Sequence, residues 1–252
     1  MRDPAIFQKF LELAGGPDSP IVIIPTAGGA ENYGDDWKGL ERYRKMGATN
    51  LTLLHTYDRA VADTEKFVRP LREARGVFIS GGRQWRLADS YLHTRTHKEL
   101  QAVLDRGGVI GGSSAGATIL GSFLVRGDTK TNTIMDGDHK EGFGFLRRVG
   151  IDQHVLKRNR QFDLIRVIED HPELLGIGID EDTAIVVSGD EFTVIGQSYV
   201  VILDQQKSIP PGGQFYLLAA GDHYNLKTRQ ATRPDEEKGL QPLERVTEKA
   251  WQ

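Results

Sequence analysis

The 252-residue chain contains no cysteine, which excludes disulfides, thiolate metal sites and a cysteine nucleophile, and leaves no thiol from which to infer a redox compartment. It has no apolar run near the roughly 18 residues of a membrane span. Its first residues, "MRDPAIFQKF", carry charges where a signal peptide needs an apolar core. Charge of one sign is also scarce: 32 Lys and Arg against 35 Asp and Glu leave −3, a balance that draws in neither nucleic acid nor an anionic membrane. The expectation is a soluble, cytoplasmic protein with no nucleic-acid and no membrane partner. If the chain has a nucleophile, it is not a thiol.

What the chain does have is short β-branched runs alternating with stretches of helical period. The runs are "IVIIP" (21–25), "LTLL" (51–54), "GVFIS" (76–80) and "GVIGG" (108–112), with helical patterns near 36–47, 59–74 and 95–106. That alternation predicts an α/β fold, a mainly parallel sheet flanked by helices on both faces. After residue 175 the spacing shortens. "GIGID", "TAIVVS", "FTVIG", "YVVILD" and "FYLLA" follow with only turn residues between them, the pattern of antiparallel hairpins added in the C-terminal third. Residues 1–252 read as a single domain, with the polar stretch from about 225 to 252 a tail or edge element.

The stretch "GVIGGSSAGATIL" (108–120) sets a G-x-S-x-G turn between a predicted strand and a predicted helix, where a nucleophile elbow belongs. So sharp a turn closes only if the residues two before and two after its centre lack a Cβ. Gly112 and Gly116 meet that need for Ser114, whereas Ser113 would be flanked by Gly111 and Ala115. The helix predicted from Ala115 carries Ile119, Leu120 and Phe123 on one stripe, and its first N–H groups, starting with that of Ala115, are placed to stabilise an oxyanion. The blander reading is a phosphate cradle or a tight turn.

A serine nucleophile needs a base, and the base an orienting acceptor. His93 and His97 lie four apart, as zinc ligands can, but no third ligand accompanies them, so no metal is expected. His55 ends a predicted strand and is placed to line a cleft, while His139, His171 and His223 sit in polar or turn surroundings. His154 remains, in the cluster Asp152-Gln153-His154 that is followed by Arg158 and Arg160.

Three stretches in order, "FISGGRQ" (78–84), "GGSSAGA" (111–117) and "DQHVLKRNR" (152–160), resemble the cyanophycinase family of serine peptidases, to which the aspartyl dipeptidase called dipeptidase E is related. The resemblance runs from about residue 20 to 205. It implies a class I glutamine amidotransferase-like, flavodoxin-like sheet, with Ser114 as nucleophile and His154 as general base. The amides of Gly82 and Ala115 would form the oxyanion hole. Gln84, Asp152, Gln153, Arg158 and Arg160 would shape the substrate site or hold the histidine segment. The family has its acid between serine and histidine, where this chain offers Asp128, Asp136, Asp138 and Glu141. Asp128, directly after the predicted helix, is the choice.

The implied partner is a peptide substrate, acidic or β-aspartyl, with the β-linked Asp-Arg units of cyanophycin as the reference case; a homodimer and no cofactor are also implied. Two positions depart from the family in sign of charge, Asp163 in place of an arginine and Arg83 in place of an aspartate, and both bear on which substrate fits. Relatives also have a strand and a glycine turn before the stretch resembling "RDPAIFQKF", so the sheet is expected to lack that strand or the gene product to start upstream. The competing readings are an aspartyl dipeptidase-like exopeptidase, an amidase or amidotransferase-like hydrolase, disfavoured by the absence of cysteine, and an inactive member that binds a peptide or metabolite.

Overall fold

The computed structural model describes residues 4–34, 36–206, 215–235 and 239–242. The chain divides into two compact units: Phe7–Ile151, and Asp152–Gln252 together with Met1–Ile6.

In the first unit, helix α1 (Pro4–Leu13) precedes β1 (Ile21–Ile24), α2 (Lys38–Lys45), β2 (Leu51–Leu53), α3 (Arg59–Ala62), α4 (Glu65–Glu73) and β3 (Gly76–Ile79). Then come α5 (Gln84–Tyr91), α6 (Arg95–Asp105), β4 (Val109–Gly112), α7 (Ala115–Thr118), β5 (Gly121–Phe123) and β6 (Leu146–Gln153), whose last two residues belong to the second unit as the first three of α1 do. The first four strands form a parallel sheet in the order β2-β1-β3-β4. Every residue of β1 and β3 is buried, which is why both strands read as unbroken apolar runs.

Alternate residues serve opposite faces. Val22, Ile24, Val77 and Ile79 pack with Val68 and Leu71 of α4, Leu87 and Tyr91 of α5, and Leu100 and Val103 of α6. Phe78 meets Phe7 and Phe10 of α1 and Tyr43 of α2, with ring centroids 5.4, 5.3 and 5.5 Å away. Because the strands are parallel, the segments that follow β1, β2, β3 and β4 all emerge at one carboxyl edge, the edge where open α/β sheets bind ligands.

Two helices differ from their expected extent. The pattern over 59–74 breaks after Ala62, because the Thr64 hydroxyl caps a new helix by accepting from the Phe67 N–H at 3.3 Å. The helix after Ser114 is a single turn. The Ile119 and Leu120 carbonyls, which would carry it on, accept from the N–H groups of Phe143 (2.7 Å) and Leu146 (3.1 Å), and Gly121 opens β5 beside β6. Ile119 and Phe123 are buried as expected, from a turn and a strand rather than from one helical stripe.

The second unit holds α8 (Asp163–Asp170), β7 (Leu175–Ile179), β8 (Thr183–Ser188), β9 (Glu191–Gly196), β10 (Val200–Leu203), β11 (Tyr216–Leu218), β12 (His223–Asn225), β13 (Gln230–Asp235) and β14 (Gly239–Pro242). The antiparallel strands are not a plain run of hairpins. Strands β8 and β9 pair with each other, but β10 returns to lie between β7 and β11. The fully buried β10 suits that central place. The hairpin instead continues through β12 and β13 to β14. The polar stretch from 225 thus enters this sheet at its edge, and its residues 236–238 and 243–252 lie outside the described residues. Among the described residues no helix is long and apolar enough to cross a membrane.

Candidate active site

Ser114 stands between β4 and α7 at φ 54° and ψ −119°, left-handed backbone that a non-glycine residue holds only under constraint. The constraint is the packing of its glycines. A Cβ on Gly112 would strike the Gly116 carbonyl, and one on Gly116 would strike the Ile79 carbonyl at the end of β3. Ser113 N–H donates to that same Ile79 oxygen at 3.0 Å, and the Ser114 carbonyl accepts from Ala117 (2.9 Å) and Thr118 (3.0 Å). The turn therefore sits directly on β3. Gly116→Ala should cost about 3 kcal/mol or more through the forced shift of that turn, read as a lowered thermal midpoint. An unchanged midpoint would mean that the turn can move off β3 freely.

The segment after β3 flanks the serine. A Cβ on Gly81 would come within 3.0 Å of the Ser114 Cβ and 3.6 Å of its Oγ. Gly82 has φ 147°, and its missing side chain leaves room for the Ala27 carbonyl, which accepts from the Arg83 N–H at 2.8 Å. Among the described residues neither the Gly82 N–H nor the Ala115 N–H donates a hydrogen bond. Both amides are thus unoccupied donors on segments that border the serine. Gln84 is buried, and its Nε2 donates to the Val125 carbonyl at 2.7 Å, which fixes the start of α5.

In the second unit, β6 ends at Gln153 and His154 turns sharply, at φ 58°. Glu181, which follows β7, brings Oε1 to 3.3 Å from His154 Nδ1. That assigns the proton to Nδ1 and leaves Nε2 as the basic nitrogen. Neighbouring Asp180 holds the segment after the histidine: its Oδ1 accepts from Leu156 N–H (3.1 Å) and Lys157 N–H (2.8 Å), and its Oδ2 from the Ser198 hydroxyl (2.7 Å). Burial is the main cause that holds the His154 pKa below its ordinary value. Repulsion from Arg158 and Arg160 adds to it, and Glu181 opposes it.

Of the other residues expected here, Asp152 is buried and its Oδ1 accepts from the Gln153 N–H at 2.9 Å. Gln153 is buried with Oε1 unpartnered among the described residues. Arg160 donates to the Gln153 carbonyl at 3.4 Å, and Arg158 is exposed.

Asp128, expected as the acid, lies in the first unit with its Oδ1 accepting from the N–H groups of Lys130 (2.9 Å) and Thr131 (3.1 Å). The carboxylate beside the histidine is that of Glu181, which the sequence reading passed over. The signal was present in "GIGIDED", where three acids close a buried strand. The remaining acids of the Asp128 loop are also engaged: Asp136 meets Lys140 at 2.9 Å, Asp138 holds His139 at 2.9 Å opposite Asp89 of α5 at 2.7 Å, and Glu141 meets His93 at 3.0 Å. His97 Nε2–H donates to the Phe143 carbonyl, 2.9 Å away, while its Nδ1 accepts from the His93 N–H at 3.3 Å. His55 touches Thr26 Oγ1 at 2.9 Å and the Glu31 carbonyl at 3.1 Å, between the rings of Tyr33 and Tyr57.

A parallel α/β sheet with a strained serine turn beyond one strand, beside unoccupied backbone donors, defines a hydrolase of the serine-nucleophile kind. The model of peptidase family S51 matches residues 2–195. The chain belongs to that family and is a serine peptidase. It is 33% identical over 244 residues to a cyanophycinase of Geminocystis herdmanii, covering 89% of both chains, and 32% identical over 251 residues to one of Synechococcus elongatus, covering 91% of this chain and 77% of that protein. Among solved structures, a peptidase from an acI-B1 Actinobacterium superposes with a TM-score of 0.67 at 26% identity, over 88% of this chain and 90% of that one.

Proposed function

We propose that the protein hydrolyses acidic or β-aspartyl peptides, with Ser114 as nucleophile, His154 as general base and Glu181 as the acid that orients the imidazole. The observation that carries this reading is the Glu181 carboxylate 3.3 Å from His154 Nδ1, since a carboxylate on that side favours the proton on Nδ1 and makes Nε2 the nitrogen that takes a hydroxyl proton. In the proposed cycle the Ser114 oxygen attacks the peptide carbonyl while His154 Nε2 takes its proton. The amides of Gly82 and Ala115 receive the oxyanion. His154 then returns the proton to the leaving amine, and water repeats the sequence on the acyl-enzyme. Gln153, Arg158 and Arg160 are proposed to meet the substrate, and the likeness to cyanophycinases supports an acidic peptide as that substrate. The test is hydrolysis of cyanophycin, β-Asp-Arg, α-aspartyl dipeptides and isoaspartyl peptides, with Ser114→Ala beside the native protein. Cleavage that survives in Ser114→Ala, or none by the native protein, overturns the proposal.

The active form is the neutral imidazole, so the rate falls as pH drops through the His154 pKa. Burial and then Arg158 lower that pKa, which places the acid limb of kcat/KM below the ordinary imidazole value of about 6.5. Arg158→Met removes a repulsion and should move the limb to higher pH. Glu181→Gln removes the charge that favours imidazolium and should move it lower. A limb at or above the ordinary value would contradict this assignment.

A further inference from the structure

We infer that Arg83 and Arg86 form a carboxylate-binding pair at the mouth of the Gly82 loop and select substrates bearing an anionic group next to the scissile bond. The inference rests on the proposed peptidase reading and names what that site recognises.

Arg83 is the extended residue that caps the start of α5 and Arg86 is the third residue of that helix; the Ala27 carbonyl accepts from both the Arg83 N–H, at 2.8 Å, and the Arg86 side chain. Each is tethered by a single side-chain hydrogen bond to a backbone carbonyl. Arg83 Nη2 donates to the Asp128 carbonyl at 2.6 Å, and Arg86 Nη1 donates to the Ala27 carbonyl at 3.1 Å. Carbonyls fix the position of a guanidinium without neutralising it. Among the described residues neither arginine has a carboxylate within 4.0 Å, whereas Arg72 and Arg95 of the same unit pair with Glu99 and Glu65.

Asp128, whose main chain holds Arg83, turns its carboxylate to its own loop instead. The Nε of Arg83 is buried without a partner, so part of this cation has lost water and gained no anion in return. A half-buried, uncompensated guanidinium is costly unless an anion arrives. Arg83 directly follows Gly82, whose amide is proposed for the oxyanion. The cycle above leaves Arg83 without a role.

The chemistry that fits is a carboxylate, which two fixed guanidinium groups take through charge-assisted hydrogen bonds. β-Asp-Leu and β-Ala-Leu differ only in the α-carboxylate, so their kcat/KM ratio reads recognition of that group alone. In Arg83→Met the ratio should fall roughly 10- to 100-fold, chiefly through KM for β-Asp-Leu, and Arg83→Lys should recover part of it. Arg86→Met should shift it in the same direction. If Arg83→Met does not fold, Arg83→Gln retains a donor for the Asp128 carbonyl and removes the charge.

A ratio within twofold of the native value, or a native enzyme that does not distinguish the two dipeptides, overturns the inference. Calorimetric titration of Ser114→Ala with β-Asp-Leu decides the matter without turnover. Binding that weakens when Arg83→Met is added supports the pair, and equal or absent binding rejects it. Labelling of Ser114 by a fluorophosphonate separates the two proposals. A labelled serine with no carboxylate preference removes only the arginine pair; an unlabelled serine removes the catalytic cycle, and the titration still judges the pair.

Discussion

Ser114→Ala is expected to lower kcat by on the order of 10⁶-fold and leave the protein folded. The hydroxyl is the one group in the proposed cycle that no neighbour can replace, because the chain has no cysteine and the turn admits little besides its small residues. The Gly82 and Ala115 amides and the bound substrate would still act on water, so a residual rate above the uncatalysed one remains. Alanine keeps the Cβ and the strained φ of 54°, so the thermal midpoint should hardly move. Ser114→Gly separates the two costs. It removes the nucleophile equally but relieves a backbone worth roughly 1–3 kcal/mol of strain, and its midpoint should rise. Turnover in either variant within tenfold of the native enzyme would remove Ser114 from the mechanism; a fall in the Ser114→Gly midpoint would show that the turn stores no strain.

The parts of the fold that the sequence revealed are those governed by local pattern. Residues 21–24 and 76–79 are buried on both faces, and a fully buried strand has no choice but to be continuously apolar. The serine turn was legible for a similar reason: Gly112 and Gly116 are required by carbonyls a few residues away or on the adjoining strand. What escaped depended on distant partners. Nothing in "ATILGSF" announces that Phe143 and Leu146 will take the carbonyls of Ile119 and Leu120 and stop the helix. Likewise β7 and β10 are neighbours because the chain leaves to build β8 and β9 and then returns, a choice that short strands with similar turns do not encode locally. Glu181 was missed on different grounds. The expected order of serine, acid and histidine confined the search to residues before His154, whereas the carboxylate that reaches Nδ1 comes from after it.

Glu181→Gln is expected to lower kcat by on the order of 10⁴-fold, the scale seen when the acid of a serine triad becomes an amide. The amide of glutamine can present its N–H₂ to His154 and so favour the tautomer whose Nε2 already carries a proton, and it offers no charge to the imidazolium that forms during attack. Glu181→Asp keeps the charge but shortens the reach from the 3.3 Å now spanned, and should fall between the two. Asp128→Asn is the matched control. Its carboxylate serves the N–H groups of Lys130 and Thr131, and an asparagine oxygen can accept those bonds equally well, so its kcat should stay within a few-fold of the native value. The reverse outcome, a 10⁴-fold loss in Asp128→Asn with Glu181→Gln little changed, would return the role to Asp128 and require His154 to swing away from the partner it has here. The pair of variants therefore tests the order of the triad along the chain as well as the identity of its acid.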